Sequence, residues 1–470
     1  MATTAKLHAP LKPSGTRAER KAAGKALRGA VPIANHGRWS VADGRPDPVT
    51  LLQAEDEGRI QHLLPIKYGR MLTSPFAFLR GSAGVMAADL AAVPSTRIQT
   101  QLCGDAHIDN FGLFASPERK LLFDLNDFDE TLPGPWEWDL KRLAASAFVA
   151  GRELGHTDQA CHDVVVRAVE FYARTMREFS KMSTLDVWYF QVAAERMQQA
   201  FAGSTRKASL SFERTLNKAR TKTQARSLAR MTTMVGGERR FLITPPLLMP
   251  ISEMLQGVPL EDPEAAIQKV WGEYLASLDV ERRRLLERFR IVDAALRVGG
   301  IGSVGTRCTI VLLEGGGEDD AIILQQKEAG ASVLESYLGK SPFKTGAERV
   351  VHGQRLMQAA SDIFLGWHRG LMIDTTYYWR QLSDMKGSLD TATLGKGGFS
   401  LYVTICAGCL ARSHGRAGDA AFTAGYVGKG AALAEAIADF ALTYADQTER
   451  DYQALVQAVA SGKIAAETGV

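Results

Sequence analysis

The chain has 470 residues, 46% of them hydrophobic and 23% charged, which is enough for two or three lobes around a sizeable core. Its formal net charge of +4 is small for this length and gives no argument for nucleic acid or an anionic membrane as a partner. No apolar run approaches the roughly 18 residues of a membrane-spanning helix, and no signal-peptide segment opens the chain. The five cysteines are scattered and odd in number, which suits a reducing compartment. Together these features favour a cytoplasmic location.

The first part of the chain begins with a segment that is poor in large apolar side chains. Residues 1–40 are rich in Ala, Gly, Lys and Arg, and because they offer little surface to bury we expect a flexible basic tail. Helical patterns follow from about 50 to 95. Short apolar strands are predicted at 98–103 and 120–126, on either side of a loop that starts at Asp105.

This loop and the end of the second strand carry the polar residues that phosphoryl transfer requires. Asp105 is followed by Asn110, and the strand then leads to Asp127 and Asp129. One Asp can accept the proton of an attacking hydroxyl, and amide and carboxylate oxygens bind Mg²⁺. We therefore predict Asp105, Asn110 and Asp127 as catalytic residues. Asn110, Asp127 and Asp129, or else Asp124 in place of Asp129, would hold magnesium. A polar turn with an Asx cap is the simpler alternative, but it does not explain the second acidic cluster.

A helical region from about 150 to 290 contains a strongly basic stretch. Its cationic side chains are Arg206, Lys207, Arg214, Lys218, Arg220, Lys222, Arg226, Arg230, Arg239 and Arg240. A basic helical face could bind a phosphorylated or acidic substrate. A solvated helix face is the commoner arrangement, and the sequence alone favours that interpretation.

A glycine-rich turn marks a change of character near residue 290. Gly299, Gly300, Gly302 and Gly305 precede two β-rich runs, 307–313 and 321–328, which predict an antiparallel sheet. Glycines in such a turn let the backbone approach phosphate oxygens closely. The turn leads into a strand and not a helix, so it is closer to the loop of protein kinases than to a Rossmann motif. A plain glycine-rich hairpin remains the alternative.

Lys327 lies at the end of the strand that follows this hairpin. In this position a Lys could reach the α and β phosphates of a nucleotide. It would need an acidic partner, for which we predict Glu348 on the next helix, with Glu335 as the second choice. That helix is predicted at 346–360, followed by a strand at 375–382 and by helices from about 395 onward.

Three motifs resemble those of the aminoglycoside-phosphotransferase branch of the protein-kinase-like superfamily. They are Gly104-Asp105-Ala106-His107-Ile108-Asp109-Asn110, Asp127-Phe128-Asp129 and Trp138-Asp139-Leu140. Residues 50–455 also resemble the bacterial DUF2252 family of unknown function. The segments that carry this second resemblance include Phe78-Leu79-Arg80-Gly81, Lys327-Glu328-Ala329, Gly353-Gln354-Arg355, residues 380–387 and Leu410-Ala411-Arg412-Ser413-His414. We expect Asp139 to anchor the Asp105 loop and not to contact substrate.

The kinase resemblance implies a two-lobed α+β fold with a large helical lobe and a small antiparallel-sheet lobe. In kinases the glycine-rich loop and its Lys precede the catalytic loop, whereas here they follow it. We therefore expect a circularly permuted fold, because termini that lie close together make permutation physically easy. Residues 41–150 would be the catalytic-loop segment, 151–290 the helical part of the large lobe, 291–385 the small nucleotide-binding lobe, and 386–470 C-terminal helices packed on the large lobe. An incidental hairpin with a degenerate small lobe is the alternative.

These observations favour an ATP- and Mg²⁺-dependent phosphotransferase that acts on a hydroxyl of an unknown acceptor, either a small molecule or a protein. In this arrangement Lys327, Glu348 and the glycines would bind the nucleotide. A nucleotide-binding regulatory module without catalysis is the second hypothesis. The third is a metal-dependent phosphoesterase built on Asp105, His107, Asp109, Asp124 and Asp127.

Overall fold

The computed structural model describes residues 15–253, 262–317, 320–372, 374–382 and 385–469. Residues 1–14 of the predicted tail lie outside the described residues, as do residues 383 and 384 of the 380–387 motif. No helix in the described part of the chain combines the length and the apolar character needed to cross a bilayer.

Helices and strands are numbered in chain order. The helices are α1 (Arg17–Ala26), α2 (Pro48–Glu55), α3 (Leu64–Met71), α4 (Pro75–Arg80), α5 (Ala83–Ala91), α6 (Glu137–Glu153), α7 (Asp158–Phe179), α8 (Thr184–Tyr189), α9 (Ala194–Ala202), α10 (Arg206–Thr221), α11 (Gln224–Met231), α12 (Pro263–Ala276), α13 (Val280–Leu286), α14 (Glu335–Leu338), α15 (Gly346–Met357), α16 (Gly395–Ala417), α17 (Ala420–Val427) and α18 (Ala431–Ala460). The strands are β1 (Gln99–Leu102), β2 (Phe111–Ala115), β3 (Leu121–Leu125), β4 (Leu132–Pro135), β5 (Thr232–Val235), β6 (Glu238–Phe241), β7 (Leu248–Pro250), β8 (Arg290–Arg297), β9 (Cys308–Glu314), β10 (Ala321–Glu328), β11 (Gly366–Arg369) and β12 (Thr376–Gln381). The predicted α+β class is thus confirmed.

Long helices form the larger of the two packed regions. The central helix α6 is buried on every side over residues 137–151, with charged residues in its first turns and mainly small and apolar residues over 143–151. α16 packs along α7, and α18 packs against both α6 and α7. Together they enclose one apolar core, to which Phe148, Tyr172, Tyr402 and Phe440 contribute.

A six-stranded antiparallel sheet forms the second region, in the order β11-β12-β10-β9-β8-β7. Both of its faces are covered, because Ile310 and Leu312 pack in one apolar cluster while Val311 and Leu313 pack in another. This explains why β9 is a continuous apolar run and not an alternating one. The strands expected at 307–313, 321–328 and 375–382, and the helix expected from residue 346, are all present.

The sheet region begins earlier in the chain than expected. β7 pairs with β8, and α12 packs beside β11, so part of the segment 151–290 belongs to the sheet and not to the helical lobe. Tyr274 of α12 is fully buried and donates a hydrogen bond to the backbone oxygen of Phe364 at 2.7 Å. Periodicity alone identifies an amphipathic helix but does not show which of two cores it covers.

The described part of the expected tail, residues 15–40, differs from that prediction. α1 begins with a capping box, in which the side chains and backbone amides of Thr16 and Glu19 bond reciprocally. It packs closely on α17, where a Cβ at Gly24 would collide with the backbone oxygen of Phe422. The Ala and Gly content that indicated a tail is therefore the composition of a close helix–helix contact.

The last helices complete the region that the first half of the chain begins. In α16, the hydroxyl of Tyr402 donates to the backbone oxygens of Ile108, at 2.8 Å, and Phe111, at 3.3 Å. Arg412 forms a fully buried ion pair with Asp124 of β3. Residues 386–470 thus pack directly on the Asp105 segment.

Candidate functional site

A buried carboxylate, that of Asp139, binds the backbone at the start of the Asp105 loop. Asp139, in the first turn of α6, accepts hydrogen bonds from the backbone amides of Cys103 at 2.7 Å and Gly104 at 2.9 Å. His414 of α16 lies 3.2 Å from the same carboxylate. Gly104 itself has a φ of +87°, and a Cβ there would collide with the backbone oxygen of Glu130. Asp139 therefore anchors the loop, as expected.

The β2–β3 hairpin brings the two polar clusters together. Phe111 pairs with Leu125, so Asn110, just before β2, lies beside the residues that follow β3. The Asn110 Oδ1 accepts from the backbone amide of Asp127 at 2.8 Å, and its Nδ2 donates to the backbone oxygens of Asp105 and Asp127, both at 3.0 Å. Asn110 thus braces the loop, and its amide oxygen keeps one further lone pair.

Asp105 faces a cavity of about 320 Å³, called here the Asp105 cavity, which is lined by the Asp105 loop, Asp127 and the glycine-rich turn. Its carboxylate is 23% exposed and pairs with Arg142 Nε at 2.8 Å, while His107 lies 3.7 Å away. Asp109, on the same loop, pairs with Arg80 at 3.1 Å. Two carboxylates of this loop are therefore charge-neutralised by arginines of the large lobe.

Lys327 reaches across from the sheet to the acidic residues after β3. It forms an ion pair with Asp129 and lies 3.5 Å from Asp127 Oδ2, and its side chain is only 5% exposed. Tyr378, opposite Lys327 on β12, donates its hydroxyl to Asp129 at 2.8 Å. Although burial acts to lower it, the pKa of Lys327 is raised by Asp127 and Asp129. The side chain is thus a cation within the site.

The acidic partner of Lys327 in the structure is Asp129 and not the predicted Glu348. Glu348 lies in the first turn of α15, where its carboxylate accepts from the backbone amide of Lys344 at 3.1 Å. Glu335 lies 3.8 Å from Arg349. Among the contacts of the described residues, Asp129 takes the role expected for Glu348. A helix-starting Glu satisfies free backbone amides, and sequence order does not distinguish that use from an ion pair.

The glycine-rich turn joins β8 to β9 and borders both sides of the site. Gly300 and Gly305 have φ values of +68° and +84°, which require glycine, whereas Gly299 and Gly302 have ordinary φ values. The nearest atoms to a Cβ at these last two lie 3.7 and 3.8 Å away, so a methyl group would fit there in ordinary van der Waals contact. Arg59 donates to the backbone oxygen of Gly302 at 2.6 Å and holds the turn against the large lobe.

A second cavity of about 480 Å³, called here the basic pocket, lies on the other side of Asp127. Its cationic lining residues are Lys218, Lys222, Arg226, Arg230, Arg297, Lys327, Arg380 and Lys386. Four basic residues of the 205–240 stretch thus line this pocket, and three of them, Lys218, Arg226 and Arg230, are also exposed, as the solvated-face interpretation expects. Helical periodicity shows that a face is polar but not what lies opposite to it.

Charges around Asp127 favour its ionised form. Burial acts to raise the pKa of Asp127, but Lys327, Arg380 and Lys386 together lower it. Lys386 responds in the opposite direction: burial, with Arg380 nearby, lowers the pKa of its amine to about 7. Asp127 is thus an anion, and its side chain is 44% exposed to the cavities.

The predicted magnesium ligands fit that cation unequally. Asp127 is ionised and accessible, and hard oxygen donors are what Mg²⁺ prefers. Asn110 offers its remaining lone pair, while Asp129 is committed to Lys327 and Tyr378. Asp124 is buried against Arg412 and does not reach the site. In the part of the chain that the structure describes, no three His, Cys, Asp or Glu side chains form a metal site by themselves.

Comparison with known proteins identifies the family. A family model described as an uncharacterized protein conserved in bacteria (DUF2252) matches residues 59–458. The chain belongs to the DUF2252 family. The match spans both the Asp105 loop and the Lys327 strand, so the DUF2252 segment includes every part of the site. No curated protein and no solved structure matches the chain.

Four residues of the DUF2252 site were not predicted from the sequence. Arg142 pairs with Asp105, Tyr378 with Asp129, and Arg380 donates to the backbone oxygen of Asn126 at 3.2 Å. Lys386 lines both cavities. Arg142 is buried in α6, Arg380 is largely enclosed on β12, and a buried charged residue requires a partner. A charged residue in a buried element was therefore the sequence signal by which Arg142 and Arg380 could have been found.

Proposed function

We propose that this DUF2252 protein is an ATP- and Mg²⁺-dependent phosphotransferase with a circularly permuted, kinase-like fold. The observation that carries the proposal is the ion pair between Lys327 and Asp129, with Asp127 3.5 Å from the same amine. In kinases a Lys of the small lobe and a metal-binding Asp flank the nucleotide phosphates. Gly300 and Gly302 of the glycine-rich turn border the same cavity as Asp105, Asn110 and Asp127, which supports the proposal.

The order of elements supports the kinase-like part of the proposal. Starting at β8, the glycine-rich turn joins the first two strands, Lys327 lies on the third, and α15 follows. This is the order of the glycine-rich loop, the Lys strand and the next helix in kinases. α16 then returns to the Asp105 segment, where Tyr402 bonds to Ile108. An incidental hairpin would not be expected to deliver its Lys to the carboxylates of a distant loop.

Each residue has a distinct role in this reaction. Lys327 would neutralise the phosphate chain, and the backbone at Gly299 and Gly302 would hold it. Magnesium, bound through Asp127, would neutralise charge on the transferred phosphoryl group. Asp105 would orient the acceptor hydroxyl. The Nε of Arg142, 2.8 Å away, fixes the position of this carboxylate, and a loose transition state requires little activation of the nucleophile.

Replacing Asp127 by Ala tests the assignment. We expect the D127A variant to lose magnesium-dependent ATP turnover by at least ~100-fold, because positioning and charge neutralisation supply most of the rate. Asp163, which is exposed on α7, provides the matched control, and D163A should retain full turnover. Thermal unfolding of both variants verifies that they fold. Unchanged turnover in D127A would rule out the phosphotransferase assignment.

A regulatory module without catalysis is the second candidate. It is favoured by one observation, the engagement of the Asn110 amide on both sides by Asp105 and Asp127. Thermal stabilisation by ATP and Mg²⁺ without turnover on a panel of hydroxyl acceptors would select this candidate. The phosphoesterase alternative has no such support, because Asp124 is buried with Arg412 and away from Asp105.

A further inference from the structure

The basic pocket contains more positive charge than the Lys327 site uses. Lys218 enters it from α10, Lys222 directly follows that helix, Arg226 and Arg230 come from α11, and Arg297 comes from β8. These five cations are called here the outer cations. None of their elements carries the carboxylate that holds Lys327. A set of like charges brought together from different elements is unfavourable unless something compensates it.

Nothing in the described part of the chain neutralises the outer cations. Among the lining residues that the structure describes, Asp127 is the one carboxylate, and it lies 3.5 Å from Lys327. No described carboxylate lies within ion-pair distance of an outer cation, and Arg226 donates a hydrogen bond to the hydroxyl of Thr221 at 2.9 Å. Burial, together with Lys218, Arg230 and Arg226, lowers the pKa of Lys222. Within the described residues, the pocket thus carries positive charge without a matching number of carboxylates.

The chemistry of the lining also indicates the kind of ligand. Among the described lining residues, Leu382 is the one large apolar side chain. An aromatic base buries mostly apolar surface and would find little of it here. Phosphate groups, in contrast, present several charged oxygens to Arg and Lys donors, and Arg can bind them through two parallel hydrogen bonds.

We propose that the outer cations form a second phosphate subsite, which binds a ligand with clustered or condensed phosphate groups. The proposal deepens the proposed function and rests on it for the chemistry at Asp127. The basic pocket and the Asp105 cavity share Asp127, Gly300, Ser303, Arg380 and Lys386 as lining residues. A phosphate chain bound at the outer cations therefore extends directly toward the proposed reacting centre.

Calorimetric titration with inorganic tripolyphosphate tests the subsite. The double variant R226Q/R230Q removes two outer cations that are exposed and outside the proposed catalytic machinery. The matched control R206Q/R214Q removes two exposed arginines of α10 that do not line the pocket. We expect R226Q/R230Q to weaken tripolyphosphate binding at least ~10-fold, and the control less than ~2-fold. Equal weakening in both variants, or no binding to the wild type, would overturn the proposal.

Two further probes identify which ligand supplies the phosphates. If R226Q/R230Q weakens ATP–Mg²⁺ binding as much as tripolyphosphate binding, the subsite serves the phosphate chain of the donor. If ATP–Mg²⁺ binding is unchanged while inositol hexakisphosphate binding falls, the subsite serves a phosphorylated acceptor. The D127A turnover assay is independent of these measurements, so failure of the phosphotransferase proposal and failure of the subsite are distinguishable.

Discussion

Lys327 forms an ion pair with Asp129, which precedes it by 198 residues in the chain. The pair joins the sheet to the acidic segment after β3, and Tyr378 adds a hydrogen bond to the same carboxylate. Because Lys327 is nearly inaccessible to solvent while Asp127 is half open, the amine is fixed and the second carboxylate is available. The sheet and the segment after β3 are thus linked at the point where the proposed reaction takes place.

The first prediction concerns this ion pair. Replacing Lys327 by Met keeps the apolar stem but leaves Asp129 and Asp127 without their shared cation. We expect a loss of about 1–2 kcal/mol in the free energy of unfolding, since Asp129 is partly solvated, and loss of ATP binding. Urea unfolding and calorimetry measure the two effects. K340M, at an exposed Lys, is the control and should change neither; an unaltered ATP affinity in K327M would contradict the role of Lys327.

Two substitutions in the glycine-rich turn should separate its effect on stability from its effect on ATP binding. Gly302 has an ordinary φ, and a Cβ there would have its nearest neighbour at 3.8 Å, so G302A should fold with unchanged stability. A methyl group facing the cavity should nevertheless weaken ATP binding several-fold, because it blocks close approach of the backbone to phosphate. At Gly305 the φ of +84° makes alanine strained, so G305A should lose about 1–2 kcal/mol of stability. Thermal unfolding and ATP titration of both variants check this contrast.

Asp139 provides a prediction about positioning. The D139N variant retains the shape of the side chain but brings an NH₂ group toward amides that need an acceptor. We expect about 1–3 kcal/mol of lost stability and slower turnover with an unchanged KM for ATP, because Asp139 holds the loop and does not contact the ligand. Denaturant unfolding and steady-state kinetics test this. A raised KM with normal kcat would instead mean that Asp139 contacts the nucleotide.

Lys386 should make phosphate binding depend on pH. Its pKa of about 7 lies below the usual value for Lys, so at pH 8 most of the amine is neutral in the free protein. A bound polyanion favours the charged form and raises this pKa. Tripolyphosphate binding at pH 8 should therefore take up protons, and its affinity should fall as the pH rises above 7. Calorimetry in buffers with different ionisation heats measures the uptake, which K386M should lose and K340M should keep.

The sequence predicted those parts of the site that depend on local order. Asn110 and Asp127 flank a short hairpin, so any pairing of its two strands brings them together. The sheet around Lys327 was predictable for the same reason, because its strands are consecutive and strongly apolar. The expectation that Lys327 lies close to the Asp105 segment came from the resemblance to kinases and not from any local sequence pattern.

Other features depend on tertiary contacts that a single sequence does not specify. The sequence offers both Glu348 and Asp129 as acidic partners for Lys327. Only the packing of the sheet against the segment after β3 selects Asp129. The basic faces of α10 and α11 have the pattern of solvated helices, but the sheet lies opposite to them. The helix at Arg17–Ala26 was missed because its small residues serve close packing on α17.

The contacts of α16 have a consequence for the way this protein is made. The Asp105 loop emerges early from the ribosome, but the groups that hold it, Tyr402, Arg412 and His414, are among the last to be synthesised. Until then Asp124 has no arginine and the hairpin has no helix to pack against. Domains usually begin to fold from the N-terminus during synthesis. Here the nascent N-terminal half must wait for the C-terminal helices, so a chain that is released prematurely contains the loop but not a finished site.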